Sequence, residues 1–173
     1  MNSPKYQIRH AHFSDAGAMF TLIKEHPETV LARPISDIVQ NIDRFLVAQT
    51  DDGLMLGAIS WQILPEIGAP KQPSVEIKSL CVKPGAQRRG IGRRLVKGAL
   101  RRIRPLQPVQ AIVLTFSPEF FAQFGFQKVP KEKLMHKIYA GCINCTRYDS
   151  PFTCPETAMT LDLLSADREG SQE

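Results

Sequence analysis

The sequence predicts an α+β domain in which helices cover a mixed sheet, and three observations carry that reading. Hydrophobic spacing switches repeatedly between a two-residue and a helical period, in the order β-α-α-β-β-β-α-β-α-β. A glycine-bearing turn, Gln87-Arg88-Arg89-Gly90-Ile91-Gly92, follows one strand and opens a long helix. The near-continuous apolar run from Val109 to Phe116 has the character of a central strand buried on both faces.

Each element follows from local signals. Residues 5–11 alternate and read as the first strand. Ser14 or Asp15 is placed to cap a helix over residues 16–25, and Ser36 to cap a second over 36–43. The apolar runs 44–50 and 54–64 flank Asp51-Asp52-Gly53, a hairpin signal. Residues 65–73, "PEIGAPKQP", read as a Pro- and Gly-rich loop before a strand over 74–82. The long helix is expected from about Arg89 to Ile103, stopped by Pro105. Ser117 and Pro118 start a short helix that Gly125 ends. Residues 158–164 alternate again and return to the sheet, and 165–173 are polar.

With 173 residues, 43% hydrophobic and 23% charged, the chain fits one ordinary globular domain. Its net charge of +5 favours an anionic partner without choosing between a polymer and a cofactor. No apolar run is long enough to span a bilayer, and the polar start has no signal-peptide core. A cytoplasmic location is therefore expected, with Cys81, Cys142, Cys145 and Cys154 as thiols or ligands before disulfides.

The turn at 87–92 is the strongest chemical signal. Glycines let a ligand approach the backbone, and a helix start presents free N–H groups and a positive dipole end to phosphate. A Gly-Lys-Ser/Thr sequence is absent, which removes a P-loop, and the third glycine of a dinucleotide fingerprint would fall at Leu95. Arg94, Lys97, Arg101, Arg102 and Arg104 read mostly as a solvated helix face. Nucleic acid is disfavoured, because no aromatic or groove-entry motif accompanies them.

The Gln/Arg-x-x-Gly-x-Gly/Ala pattern, after the strand "EIKSLCVKP", resembles the GNAT superfamily of acyl-coenzyme A N-acyltransferases. The resemblance implies the GNAT fold, a mixed and mostly antiparallel sheet flanked by helices. It also implies acetyl-CoA as cosubstrate. Leu80, Cys81 and Val82 would line the pantetheine arm, and Gln87, Arg88, Arg89, Gly90, Ile91, Gly92 and Arg93 would hold the pyrophosphate. Within the superfamily, "VLARPISDIVQNIDRFLVAQTDDGLMLGAIS", "IVLTFSPEFFAQFGF" and "KEKLMHKIYAGCINC" resemble the short, stand-alone N-acetylglutamate synthase-like branch. That closer resemblance spans about Ile8 to Met159 and lacks the amino-acid kinase domain that longer enzymes fuse to this one. It implies acetyl transfer to the α-amine of an amino acid, glutamate first, and a place in arginine biosynthesis. The segment 65–73 is longer than usual for the branch, which would reshape the acceptor pocket.

Amide formation needs a neutral amine set against a thioester carbonyl. Glu76 is the candidate base, since burial raises the proton affinity of a carboxylate. Its alternative is a structural carboxylate paired to a basic neighbour. The resemblance assigns the acceptor carboxylate to Arg33, whose fork suits two parallel hydrogen bonds, and to Lys78, on the same strand face as Glu76. Many superfamily members protonate the leaving thiolate with a tyrosine at the position of Phe121, so that acid is missing here. A thiol with a pKa of about 8.5 leaves without strong assistance. Phe120, Phe121 and Phe124 are expected to pack, and Cys81 to be inert.

One pattern remains outside the fold. His136, Cys142, Cys145 and Cys154 are a candidate structural zinc set, against plain reduced thiols in a compact loop. The expected organisation is a core over 1–130, a cysteine-containing extension over 131–164 and a tail over 165–173, with a homodimer compatible. Two rivals remain: an enzyme of the same kind acting on another amine (a different amino acid, a polyamine or a protein N-terminus), and a metal-bearing nucleic-acid-binding or interaction module.

Overall fold

The computed structural model describes residues 5–66 and 69–164; the expected tail from Ser165 onward lies outside them. Strands run in the order β1-β2-β3-β4-β5-β7-β6 in one seven-stranded sheet. They are β1 (Tyr6–His10), β2 (Phe45–Thr50), β3 (Met55–Glu66), β4 (Ala69–Val82), β5 (Gln110–Thr115), β6 (Gln127–Lys128) and β7 (Thr157–Asp162). The pairs β1–β2, β2–β3, β5–β7 and β6–β7 are antiparallel, and β4–β5 is parallel. Only two residues separate β3 from β4, too few for a parallel crossover. The expected mixed, mostly antiparallel sheet with helices is the fold found.

The chain divides into two compact units, one comprising residues 1–61 and 77–105, the other 62–76 and 106–173. The first holds β1, β2, the start of β3 and the end of β4. It also holds helices α1 (Ala16–Lys24), α2 (Ile35–Gln40) and α3 (Ile91–Ile103). Met19, Ile23, Ile38, Phe45 and Val47 fill one core cluster, and Cys81 belongs to it. Ile91, Leu95, Val96, Ala99, Leu100 and Ile103 form the buried face of α3, while Arg93, Arg94, Lys97, Arg101 and Arg102 are exposed. The solvated reading of the basic helix therefore holds, with Arg94 resting 4.5 Å above the Tyr6 ring.

Gly57 sets the distance between strand and helix in this unit. A Cβ there would lie 2.9 Å from the Cys81 carbonyl oxygen and 3.0 Å from Leu95 Cδ1. A methyl group has no room, so β3 accepts only glycine at that point.

The second unit contains the rest of β3 and β4, then β5, β6, β7 and helices α4 (Pro118–Ala122) and α5 (Met135–Ala140). Leu64, Ile112, Leu134 and Ala158 pack into its core. β5 is the buried central strand its apolar run predicted, flanked by β4 in parallel and β7 in antiparallel pairing. Ser117 precedes Pro118 at the start of α4, and Gly125 takes left-handed backbone (φ 90°) after its end. Phe121 is buried in edge-on contact with Phe120 at 5.2 Å and Phe126 at 5.6 Å. The phenylalanines pack, as expected.

Four local expectations are corrected. Of the loop expected over 65–73, Pro65–Glu66 and residues 69–73 belong to β3 and β4, while Ile67 and Gly68 lie outside the described residues. Proline's fixed φ lies within extended backbone, so Pro65, Pro70 and Pro73 do not stop a strand where their missing N–H is not needed. Asp15 does not cap α1 through its side chain. Its carboxylate accepts from the backbone N–H of His12 and from both terminal nitrogens of Arg9, at 2.7 to 2.9 Å. Helix α2 begins at Ile35 after Pro34, one residue ahead of the serine expected to cap it. Helix α3 starts at Ile91, because Arg88 and Gly90 both take positive φ and cannot be helical.

Candidate functional site

In the first unit, the turn into α3 is built from left-handed residues. Gly85 (φ 83°), Arg88 (φ 60°) and Gly90 (φ 79°) reverse the chain between β4 and the helix. Gln87 Nε2 donates to the Val82 carbonyl at 3.2 Å and ties the turn to the strand end. No side chain caps α3, and its first intrahelical bond runs from Arg94 N–H to the Gly90 carbonyl at 3.0 Å. The backbone amides ahead of Arg94 therefore face outward from an exposed turn, the arrangement that receives an anion at a helix start.

β4 leads into that turn. Lys83 N–H bonds the Leu56 carbonyl of β3 at 2.8 Å. Among the described residues, ladder pairing of β4 with β5 covers Val75 and Glu76 only. Ser79 interrupts the strand with left-handed backbone (φ 54°), a kink of the kind a bulge introduces. Leu80 and Val82 are half-buried, whereas the Cys81 side chain is buried in the core, with its thiol pushed up to about 12 by burial. A thiol so far above neutrality carries no thiolate, which agrees with the expectation that Cys81 does no chemistry.

Arg33 precedes α2 and is engaged on several sides. Its Nε donates to Asp37 Oδ2 at 2.5 Å, and Nη1 donates to Ser60 Oγ at 3.0 Å and Ser79 Oγ at 3.1 Å. The Phe45 ring lies 5.0 Å beneath its guanidinium carbon. Ser60 Oγ in turn donates a hydrogen bond to the Lys78 carbonyl at 3.2 Å, so Arg33 is tied to the kink at Lys78–Ser79. Among the described residues, Nη2 is the nitrogen of this group without a hydrogen bond. The expected free fork is thus corrected: the Nε edge is taken, and the Nη2 end is what remains for a carboxylate. The Lys78 side chain is half-buried.

In the second unit, Glu76 sits on β4 opposite Ile112, with its side chain 6% exposed. Its Oε1 accepts from Lys137 Nζ at 2.9 Å, and Oε2, also buried, has no hydrogen-bond partner among the described residues. The sequence reading missed Lys137. It occupies α5 between His136 and Ile138, all three buried, where local patterning gives no reason to bury a lysine. Gly141 makes room for its ammonium, since a Cβ there would lie 3.1 Å from Nζ. Burial, the largest single influence, works to lower the Lys137 pKa, but Glu76 first, with Cys142 and Glu156, together turn the net shift upward. Glu156 itself is pushed up by burial.

The four candidate zinc residues are not brought together as a ligand set. Among the described residues, no group of three or more His, Cys, Asp or Glu side chains is placed to hold a metal ion. Cys154 Sγ is turned to Glu156 Oε2 at 3.6 Å, and His136 is buried within α5. Burial raises the Cys142 and Cys154 thiols above their ordinary value. The donors do not converge, and Cys142, Cys145 and Cys154 are free cysteines.

Comparison with known proteins places these features. Residues 41–128, just over half the chain, match the model of the acetyltransferase (GNAT) domain. An uncharacterized N-acetyltransferase of Chlorobaculum tepidum is 28% identical over 90% of this chain and 96% of its own length. An amino-acid acetyltransferase of Mycobacterium tuberculosis is 27% identical over 82% of this chain and 79% of its own. The crystal structure of Rv2747 from Mycobacterium tuberculosis, in complex with CoA and NLQ, superposes with a TM-score of 0.74 at 27% identity. It covers 91% of this chain and 99% of that one.

Proposed function

Because the chain belongs to the GNAT acetyltransferase family, we propose that it moves acetyl from acetyl-CoA to the α-amine of an amino acid, with glutamate the leading acceptor. The observation that carries this reading is the start of α3, an uncapped helix N-terminus behind left-handed Arg88 and Gly90. Backbone amides of residues 87–93 would hold the pyrophosphate, and the strand edge around Leu80, Cys81 and Val82 would pair with pantetheine. The CoA bound to the 27%-identical Rv2747 supports this assignment. The acceptor reading is supported by the name of the amino-acid acetyltransferase relative and by Nη2 of Arg33, which offers charge-assisted bonds to an α-carboxylate. Lys78 would add a second positive charge. Such a product fits amino-acid biosynthesis, including the arginine route.

Glu76 would act as base. Its carboxylate takes one proton from the α-ammonium, and the freed lone pair forms the N–C bond as the C–S bond breaks. The nitrogen's second proton ends on the coenzyme sulfur, and the first is released to solvent. With phenylalanine at 121, no tyrosine supplies the sulfur proton from α4. The test is thiol release from acetyl-CoA with glutamate, other amino acids, a polyamine and an N-terminal peptide. Glutamate is expected to lead, and Arg33→Ala to raise its KM about tenfold or more at unchanged acetyl-CoA KM. An Arg33→Ala enzyme with the wild-type glutamate KM, or turnover confined to amines without a carboxylate, rejects the amino-acid assignment.

A further inference from the structure

The two oxygens of Glu76 are unequal. Oε1 lies 2.9 Å from Lys137 Nζ, while Oε2 is buried without a hydrogen-bond partner among the described residues. An unmatched acceptor on a buried carboxylate is costly, and native structures keep few of them. A cation is equally costly to bury, yet Lys137 is carried inward on α5, and Gly141 leaves the space its ammonium occupies. A structural pair would be expected to satisfy both carboxylate oxygens. This one satisfies one and leaves the other open.

We propose that Lys137 is the positioning residue of the reaction: it holds Oε1 of Glu76 so that Oε2 is the oxygen left to take the proton of the incoming amine. The inference rests on the reading of Glu76 as base. Lys137 does not touch the reacting atoms. It restricts the carboxylate to one orientation and balances its charge in a site that water does not screen. The groups facing Lys137 are Glu76 from β4, Cys142 from the turn after α5 and Glu156 from the segment ahead of β7. Lys131, from the turn before α5, faces Glu156 in turn. Only Glu76 is in direct contact with the ammonium among these ion pairs.

The experiment compares Lys137→Met, Lys137→Arg and Glu76→Gln with the wild-type chain, using acetyl-CoA and the best amino-acid acceptor across pH. Without the cation, a buried carboxylate takes up a proton more readily. Lys137→Met is therefore expected to move the acid limb of kcat/KM upward by about one pH unit or more. At neutral pH its kcat should fall about 10- to 100-fold, with the acetyl-CoA KM unchanged and activity partly regained at alkaline pH. Lys137→Arg, which keeps the charge, should return the limb to within about half a unit of wild type. A purely structural lysine would lower activity evenly and leave the limb in place, and that result overturns the proposal. So does a Lys137→Arg limb displaced as far as that of Lys137→Met, which also decides the matter if the methionine variant does not fold. Glu76→Gln separates the two ideas. If it keeps wild-type kcat and the same acid limb, the base reading itself fails. If it abolishes the limb while Lys137→Met leaves it untouched, only the role of Lys137 falls.

Discussion

Arg33 and Lys137 carry the same charge, and their side chains are equally hidden, 10% exposed in each case. Their surroundings differ. Arg33 shares its donors among Asp37, Ser60 and Ser79 and lies over Phe45, and its acidic partner is 37% exposed and one helical turn away. Water screens that pair, and the two hydroxyls hold the guanidinium when the carboxylate lets go. Among the described residues, the acidic contact of Lys137 is Glu76, which is 6% exposed. Nothing screens it. The lesson is that the depth of the partner, rather than of the cation, decides what a charge contributes and what its loss costs.

The largest effect should come from breaking the deeper pair on one side. Lys137→Met is expected to lose about 3–5 kcal/mol of unfolding free energy in urea titrations, because it strands a buried carboxylate. Replacing both partners, as Lys137→Met with Glu76→Met, should recover most of that loss. A double variant no more stable than the single one would show that the charge pair is not the source of the cost.

A middle-sized effect concerns alkaline pH. The Lys137 pKa is raised above its ordinary value near 10.5. A lysine with a higher pKa in the folded chain contributes its full stabilisation below the unfolded value and loses it as pH rises through the folded one. The Tm gap between wild type and Lys137→Met should hold steady up to about pH 10 and narrow only above 10.5. A gap that closes below pH 10 contradicts the direction of the shift.

The smallest effect belongs to the exposed pair. Asp37→Asn should cost no more than about 1 kcal/mol in the same urea titrations, since one partner is solvated and the serines remain. A loss above about 2 kcal/mol would erase the contrast between the two cations.

How much of this was legible in the sequence depends on the range of the interaction that decides each residue. The glycine turn at Gly90 and the helix after it were readable locally, though the first helical residue, Ile91, came two later than expected because Arg88 and Gly90 are left-handed. β5 was readable from its apolar run. The stretch 65–73 was misread because proline and glycine are compatible with both a loop and the end of a long hairpin. Glu76 was chosen from its strand and its resemblance, while its partner Lys137 went unseen because the two are distant in the chain and meet only when α5 packs. The hydroxyl partners of Arg33 went unseen for the same reason, since Ser60 and Ser79 reach it from two different strands.

By itself, then, the sequence determined what periodicity and backbone freedom control: the order of elements as far as α4 and the closing strand β7, the glycine turn into α3 and, through its motifs, the family; the short strand β6 and helix α5 escaped it. The tertiary structure alone decided which charges are buried together, which nitrogen of Arg33 remains open and which oxygen of Glu76 is held. Burial and ion pairing depend on packing between segments far apart in the chain, and local sequence patterns carry no information about the depth at which two distant side chains meet.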